Sequence, residues 1–112
     1  MKRIQVVFYC LASGSEPVRE WLKALTRDDK LTIGEDIKTV EFGWPLGMPL
    51  VRKLDKDLWE VRCDISSKRI ARVIFTVYKS KMVLLHGFIK KSQKTSPDDL
   101  KLAKSRRDDV FR

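Results

Sequence analysis

The residues of this chain that could do chemistry are cations. Arg62 and Arg72 sit inside two neighbouring strand-like segments, and Lys90, Lys91 and Lys94 cluster where a third such segment ends. A charge in a strand interior must face solvent or find a partner. Over residues 52–94, twelve Lys or Arg stand against four Asp or Glu, a balance of +8, while the whole chain carries +9. Nearly all the excess positive charge therefore lies on or beside these strands, which makes them a candidate polyanion-binding surface. Arginine and lysine aimed at a phosphodiester stabilise the charge of a phosphorane, often the largest contribution to such catalysis. RNA can be cut this way without metal. Its 2′-hydroxyl attacks the adjacent phosphate once a base takes the proton, and an acid protonates the departing 5′-oxygen. Repulsion among clustered cations can lower a lysine pKa enough for proton transfer. Glu60, on the same strand face as Arg62, is a candidate proton acceptor. A solvated charged face with no catalysis accounts for the composition equally well.

Other chemistries find less support. The single histidine, His86, lies in an apolar strand, where a core histidine with a satisfied hydrogen bond is commoner than a general base. There is no Ser-His-Asp set, no supported Cys-His pair and no glycine-rich phosphate loop. One histidine cannot complete a zinc site with the two cysteines, so neither metal nor cofactor is expected. Cys10 and Cys63 are too few for a disulfide framework and read as two buried, reduced thiols of a cytoplasmic protein. No run of eighteen apolar residues exists, so no membrane span is expected. The start, MKRIQVVFYCLASGSE, has a short apolar run broken by Gln5 and rich in β-branched and aromatic residues; it predicts a first strand rather than a secretion signal. With 112 residues, the chain is read as a single domain, 1–112.

The elements that must position these cations follow from patterning. Lys2 to Cys10 predicts a strand, and Ser15 a cap for a helix that tolerates Pro17 in its first turn. Val18, Trp21, Leu22 and Leu25 form that helix's apolar stripe. Thr26 to Asp29 reads as a turn, followed by a second helix to about Phe42 with Leu31, Ile33, Ile37 and Val40 as its apolar set. Two prolines and two glycines make Gly43–Pro49 irregular. Leu50 to Leu54 predicts a short strand. LWEVRCDI (58–65) alternates, with Trp59, Val61, Cys63 and Ile65 on one face and Glu60, Arg62 and Asp64 on the other. RIARVIFTVY (69–78) and KMVLLHGFIKK (81–91) complete an antiparallel meander. Ser96-Pro97-Asp98-Asp99 opens a final amphipathic helix. The order β-α-α-β-β-β-β-α is an α+β class: a twisted, mostly antiparallel sheet with helices on one face and the other face free.

Residues 49–106 resemble the phage-derived Gp49-like branch of the HigB toxins, within the RelE/ParE superfamily. The resemblance is carried by the LWEVR strand, the RIARVIF strand, VLLHGFIKKSQKT with its loop, and a last helix rich in Leu, Ala, Lys and Arg. Thr95-Ser96-Pro97 departs from a more usual Thr-Pro and reads as a lengthened cap. The resemblance implies a RelE-like fold, with two N-terminal helices on one sheet face and a C-terminal helix. It also implies the toxin of a type II toxin–antitoxin pair: a metal-independent mRNA interferase that cuts messenger RNA on the ribosome and stops translation. The implied partners are messenger RNA, the ribosome and a HigA-like helix-turn-helix antitoxin, through which alone operator DNA would be bound. Carried over, the catalytic positions fall on Arg62, Arg72, Lys90 and Lys91, with Arg52, Lys53, Arg69 and Lys94 as RNA contacts. Arg72→Ala is then expected to abolish toxicity and leave the fold intact. The alternatives on the same fold are a ParE-like gyrase poison and a non-catalytic nucleic-acid-binding module.

Overall fold

The computed structural model describes residues 3–90 and 94–112, the side chain of Lys90 excepted. Its elements are β1 (Gln5–Phe8), α1 (Pro17–Lys23), α2 (Arg27–Gly43), β2 (Val51–Asp55), β3 (Leu58–Ile65), β4 (Arg69–Tyr78), β5 (Lys81–Lys90) and α3 (Pro97–Val110). The strands form one sheet in the order β1-β5-β4-β3-β2. β1 runs parallel to β5, and every other pairing is antiparallel. This is the α+β, mostly antiparallel architecture that the patterning predicts.

Strand alternation sorts the side chains into two layers. One face carries Val51, Val61, Cys63, Ile65, Ala71, Val73, Phe75 and Leu84, and packs against α1 and α2 through Val18, Ile33, Ile37 and Val40. Trp44, from the irregular loop after α2, makes edge contacts with Trp59 (5.0 Å) and Phe75 (5.5 Å), so the loop is part of the core. At the edge strand β1, Glu41 of α2 reaches over, its Oε2 accepting the Val6 N–H at 2.8 Å.

The second face is not free, contrary to the expectation from sequence. It bears Leu58, Ile74, Val83, Leu85 and Phe88, and α3 lies on it through Leu100, Ala103 and Val110. The extra apolar residue comes from a bulge. Ile74 pairs with His86 and Phe75 with Leu84, which leaves Leu85 unpaired. Its carbonyl accepts from Arg106 Nη1 of α3 at 2.7 Å. Arg107 Nη1 reaches Asp55 Oδ2 (3.0 Å) and the Lys56 carbonyl (2.8 Å), and the Tyr9 hydroxyl donates to Asp109 at 2.7 Å. Among the described residues, no helix is long and apolar enough to cross a membrane.

Helix boundaries differ from expectation for local reasons. α1 is capped by Glu16, without a side-chain bond, and not by Ser15. α2 begins three residues early because Thr26 is its cap: the Thr26 side chain accepts from Asp29 N–H, and Asp28 and Asp29 sit at the positive end of the helix. Leu31 is 54% exposed, off the stripe formed by Ile33, Ile37 and Val40. Buried Asp29 instead accepts from Ser66 N–H (3.2 Å), Ser66 Oγ (2.9 Å) and Arg69 Nη2 (2.6 Å), which ties α2 to the β3–β4 turn.

Two outcomes follow. A Cβ added at Gly87 would stand 2.4 Å from Cε3 of Trp21, so Gly87→Ala should push α1 off β5. It is expected to cost about 1–3 kcal/mol in chemical denaturation. Burial pushes the Asp29 carboxyl up, but bonds from Ser66, Arg69 and Thr26 outweigh it and hold the group below the ordinary aspartate range. A depressed folded value stabilises the fold above the unfolded value, and that contribution is lost as pH falls through the folded one. Asp29→Asn should therefore flatten the acid limb of a Tm-versus-pH curve, and an unchanged limb would count against the bonding.

Candidate nucleic-acid interface

The Arg62 N–H donates to the Leu50 carbonyl at 2.9 Å, so the polar backbone of Arg62 points toward β2 and away from β4. Its partner across the ladder is Arg72. The pair thus occupies a non-hydrogen-bonded site of the antiparallel ladder, where opposed side chains stand closest. Like charges directly opposite one another are destabilising, and a buried carboxylate offsets that cost. Glu60 Oε1 accepts from Arg72 Nη1 at 2.6 Å, with each residue only 1% exposed. The other oxygen, Oε2, accepts from the hydroxyl of Thr95, in the segment that leads into α3. Arg52 is the register partner of Glu60 on β2. Together with Met48 and Pro49, these side chains line a cleft of about 120 Å³ in which three arginines face one glutamate. Among the described residues, no carboxylate forms an ion pair with Arg52 or Arg62. The cleft is therefore a cationic concavity on the sheet, with more positive than negative charge in its wall.

Pro49 and Arg62 also border a second cleft of about 520 Å³, lined by Thr32, Asp36, Leu50 and Asp64. Burial pushes the Asp36 carboxyl up; a hydrogen bond with Cys63 opposes this, while nearby Asp64 and Glu35 add to it. Burial also drives the Cys63 thiol far above its ordinary value, with Asp36 beside it, so Cys63 stays protonated and inert. Cys10 is exposed, against the expectation of two buried thiols. His86 is half-buried and partnered. Its Nε2 lies 2.7 Å from Asp99 Oδ1, and its ring stacks on Phe88 at 5.2 Å, which pins the first turn of α3 to β5.

The sequence pattern of the phage-derived Gp49-like protein family (DUF891) matches residues 20–108, which include every strand of this cleft and all but the end of α3. The chain belongs to the Gp49-like family. This is a toxin family of the RelE/HigB type, which places the chain among the toxins of toxin–antitoxin pairs. Against curated proteins the chain finds no significant match.

In this Gp49-like chain, the cations singled out from sequence separate by face. Arg52, Arg62 and Arg72 come together in the cleft. Lys53 is the register partner of Trp59 on the opposite face, its Nζ 5.8 Å from the ring centroid. Arg69 also points to that face, where Asp29 and Ser66 hold it. Lys94 is exposed, immediately before Thr95. Lys91 lies outside the described residues, and of Lys90 only the backbone is described, as the partner of Ile70. Both oxygens of Glu60 are engaged, so its place is that of a buried counter-ion to Arg72. Thr95 does not lengthen a cap: Ser96 alone caps α3, and Thr95 turns toward Glu60. The hydroxyl in Thr-Ser-Pro was visible in the sequence, but its partner, on β3, is 35 residues away.

Burial of Arg72 revises the expected effect of Arg72→Ala. The substitution strands Glu60 without its countercharge and should cost about 3–5 kcal/mol in urea denaturation. Arg62→Ala removes one of two opposed like charges and should leave stability within about 0.5 kcal/mol of wild type, or raise it. Replacing both pair members at once, Glu60→Leu with Arg72→Met, should cost less than Arg72→Ala alone.

Proposed function

We propose that this protein is a ribosome-dependent mRNA interferase, a metal-independent endoribonuclease that cuts messenger RNA and arrests translation. The observation that carries this reading is the cleft in which Arg62 and Arg72 stand side by side, with Arg52 next to Glu60, the counter-ion of Arg72. A scissile phosphate set there would meet guanidinium groups already in place, with no reorganisation needed as the phosphorane charge develops. The 2′-oxygen attacks phosphorus, the bond to the 5′-oxygen breaks, and a 2′,3′-cyclic phosphate and a 5′-hydroxyl result. Proton transfer is assigned, on the family resemblance, to Lys90 and Lys91, since Glu60 is occupied by Arg72 and Thr95. Lys94, exposed next to Thr95, suits a phosphate contact. The neutralising partner would be a HigA-like helix-turn-helix antitoxin, operator DNA being reached only through it. Such a toxin acts in the cytoplasm, where ribosomes are.

The test is expression in a bacterium with and without the cognate antitoxin, followed by mapping of messenger 5′ ends. Prompt translation arrest with new 5′ ends inside reading frames is expected, relieved by the antitoxin. Arg62→Ala should remove both effects while the protein accumulates normally. Filamentation and DNA-damage signalling without new ends would point to a gyrase poison instead. Ribosomal RNA binding without cleavage would leave only a binding module.

A further inference from the structure

The outer edge of β3 is covered over only part of its length. β2 pairs with it from Leu58 to Val61, and the Leu50 carbonyl adds one more rung by accepting the Arg62 N–H. There the covering chain turns away: the Val51 N–H returns to the Gly47 carbonyl at 3.1 Å, and Pro49 has no N–H to offer. Opposed pairs alternate along an antiparallel ladder, so the backbone groups of Asp64 point to the same side as those of Arg62, past the start of β2. Among the described residues, nothing takes up the Asp64 N–H. Beside this bare edge lies the cleft of about 520 Å³, to which α2 contributes Thr32 and Asp36, and the loop before β2 contributes Pro49 and Leu50. Its two acids, Asp36 and Asp64, form no ion pair among the described residues, in a chain of net charge +9. Burial, with the Asp64 charge nearby, holds the Asp36 carboxyl above the ordinary aspartate range, and a cation set against it would relieve both effects.

We propose that this edge is a docking site for the antitoxin partner, which lays an extended segment alongside Asp64 and sets a lysine or arginine against Asp36. This rests on the toxin–antitoxin pairing that the Gp49-like family implies, and not on RNA cleavage. An added strand gains affinity from main-chain hydrogen bonds and specificity from its alternate side chains. Here alternate side chains would face α2, where Asp36 stands, and the sheet face that carries Arg62 and Asp64. The sign of the charge selects the occupant: two carboxylates repel a phosphate backbone and attract a basic peptide. Met48, 67% exposed beside Pro49, offers that peptide an apolar contact. A segment seated there lies against Arg62 and Pro49, which also border the arginine-lined cleft, so docking closes one side of that cleft.

The experiment titrates the purified full chain with the cognate antitoxin, the protein encoded beside it, at fixed salt. Asp64→Pro removes only the outward N–H of an edge position, where proline is tolerated, and should weaken the complex on the order of fivefold. Asp36→Asn keeps the shape and removes the charge, and should weaken it by a similar factor, on the order of fivefold. Glu20→Gln, on the exposed side of α1, makes the same change in net charge and should bind within about twofold of wild type. Amide hydrogen exchange of the wild-type chain gives a reading that needs no variant: the Asp64 N–H should exchange at least about tenfold more slowly in the complex. Unchanged exchange at Asp64 overturns the proposal, as does a complex that both Asp64→Pro and Asp36→Asn leave at wild-type affinity. A Glu20→Gln variant as weak as Asp36→Asn also overturns it, by assigning the effect to net charge. A wild-type chain that forms no complex at all would remove the pairing itself, and the docking site with it, an outcome separable from the others.

Discussion

A buried ion pair decides how this sheet can carry its charge. Arg62 and Arg72 are pressed together by strand register, and burying Arg72 without compensation would cost several kcal/mol. Glu60, on the same strand as Arg62 and hydrogen-bonded to Arg72 at 2.6 Å, makes the arrangement tenable. It offsets one positive charge and leaves the rest of the cleft cationic. Such a pair adds little net stability compared with apolar residues of the same shape. What it achieves is placement: a guanidinium held in the wall of a cleft, on a backbone that cannot rotate away.

The rest of the fold serves that placement. α1 and α2 close one face of the sheet around Trp44, Trp59 and Phe75, which stiffens β2, β3 and β4 from behind. α3 closes the other face from the opposite end, held by Arg106, Arg107, Tyr9 and His86. The segment that leads into it carries Thr95 to Glu60, so the entry to the helix that completes the second core layer also touches the buried ion pair. The loop before β2 contributes Trp44 to the core and Met48 and Pro49 to the cleft wall. Structural and candidate functional roles are therefore shared by the same short segments, as expected where a chain of 112 residues has few elements to spare.

Much of this was legible in the residues themselves. Alternation in LWEVRCDI places Glu60 and Arg62 together on one face because side chains along a strand repeat every two residues. Short polar turns at 66–68 and 79–80 require antiparallel neighbours. Ser96 before Pro97 and two acids announces the start of α3, since local chemistry suffices for a cap. Arg62 and Arg72 could be named as candidates on the same grounds, from charges in strand interiors.

Three further points needed the tertiary structure, because each depends on partners distant in sequence. The face that carries a cation follows from parity, but register decides its neighbour; hence Arg69 and Lys53 fall behind the sheet while Arg52 meets Glu60. The bulge at Leu85 shifts one strand by a residue and creates the apolar patch that α3 covers, which no periodicity in β5 alone discloses. The bond from Thr95 to Glu60 spans 35 residues and joins a loop to a strand interior. Periodicity and capping are properties of neighbouring residues and can be read along the chain. Ion pairs and clefts arise only when separate segments are brought side by side.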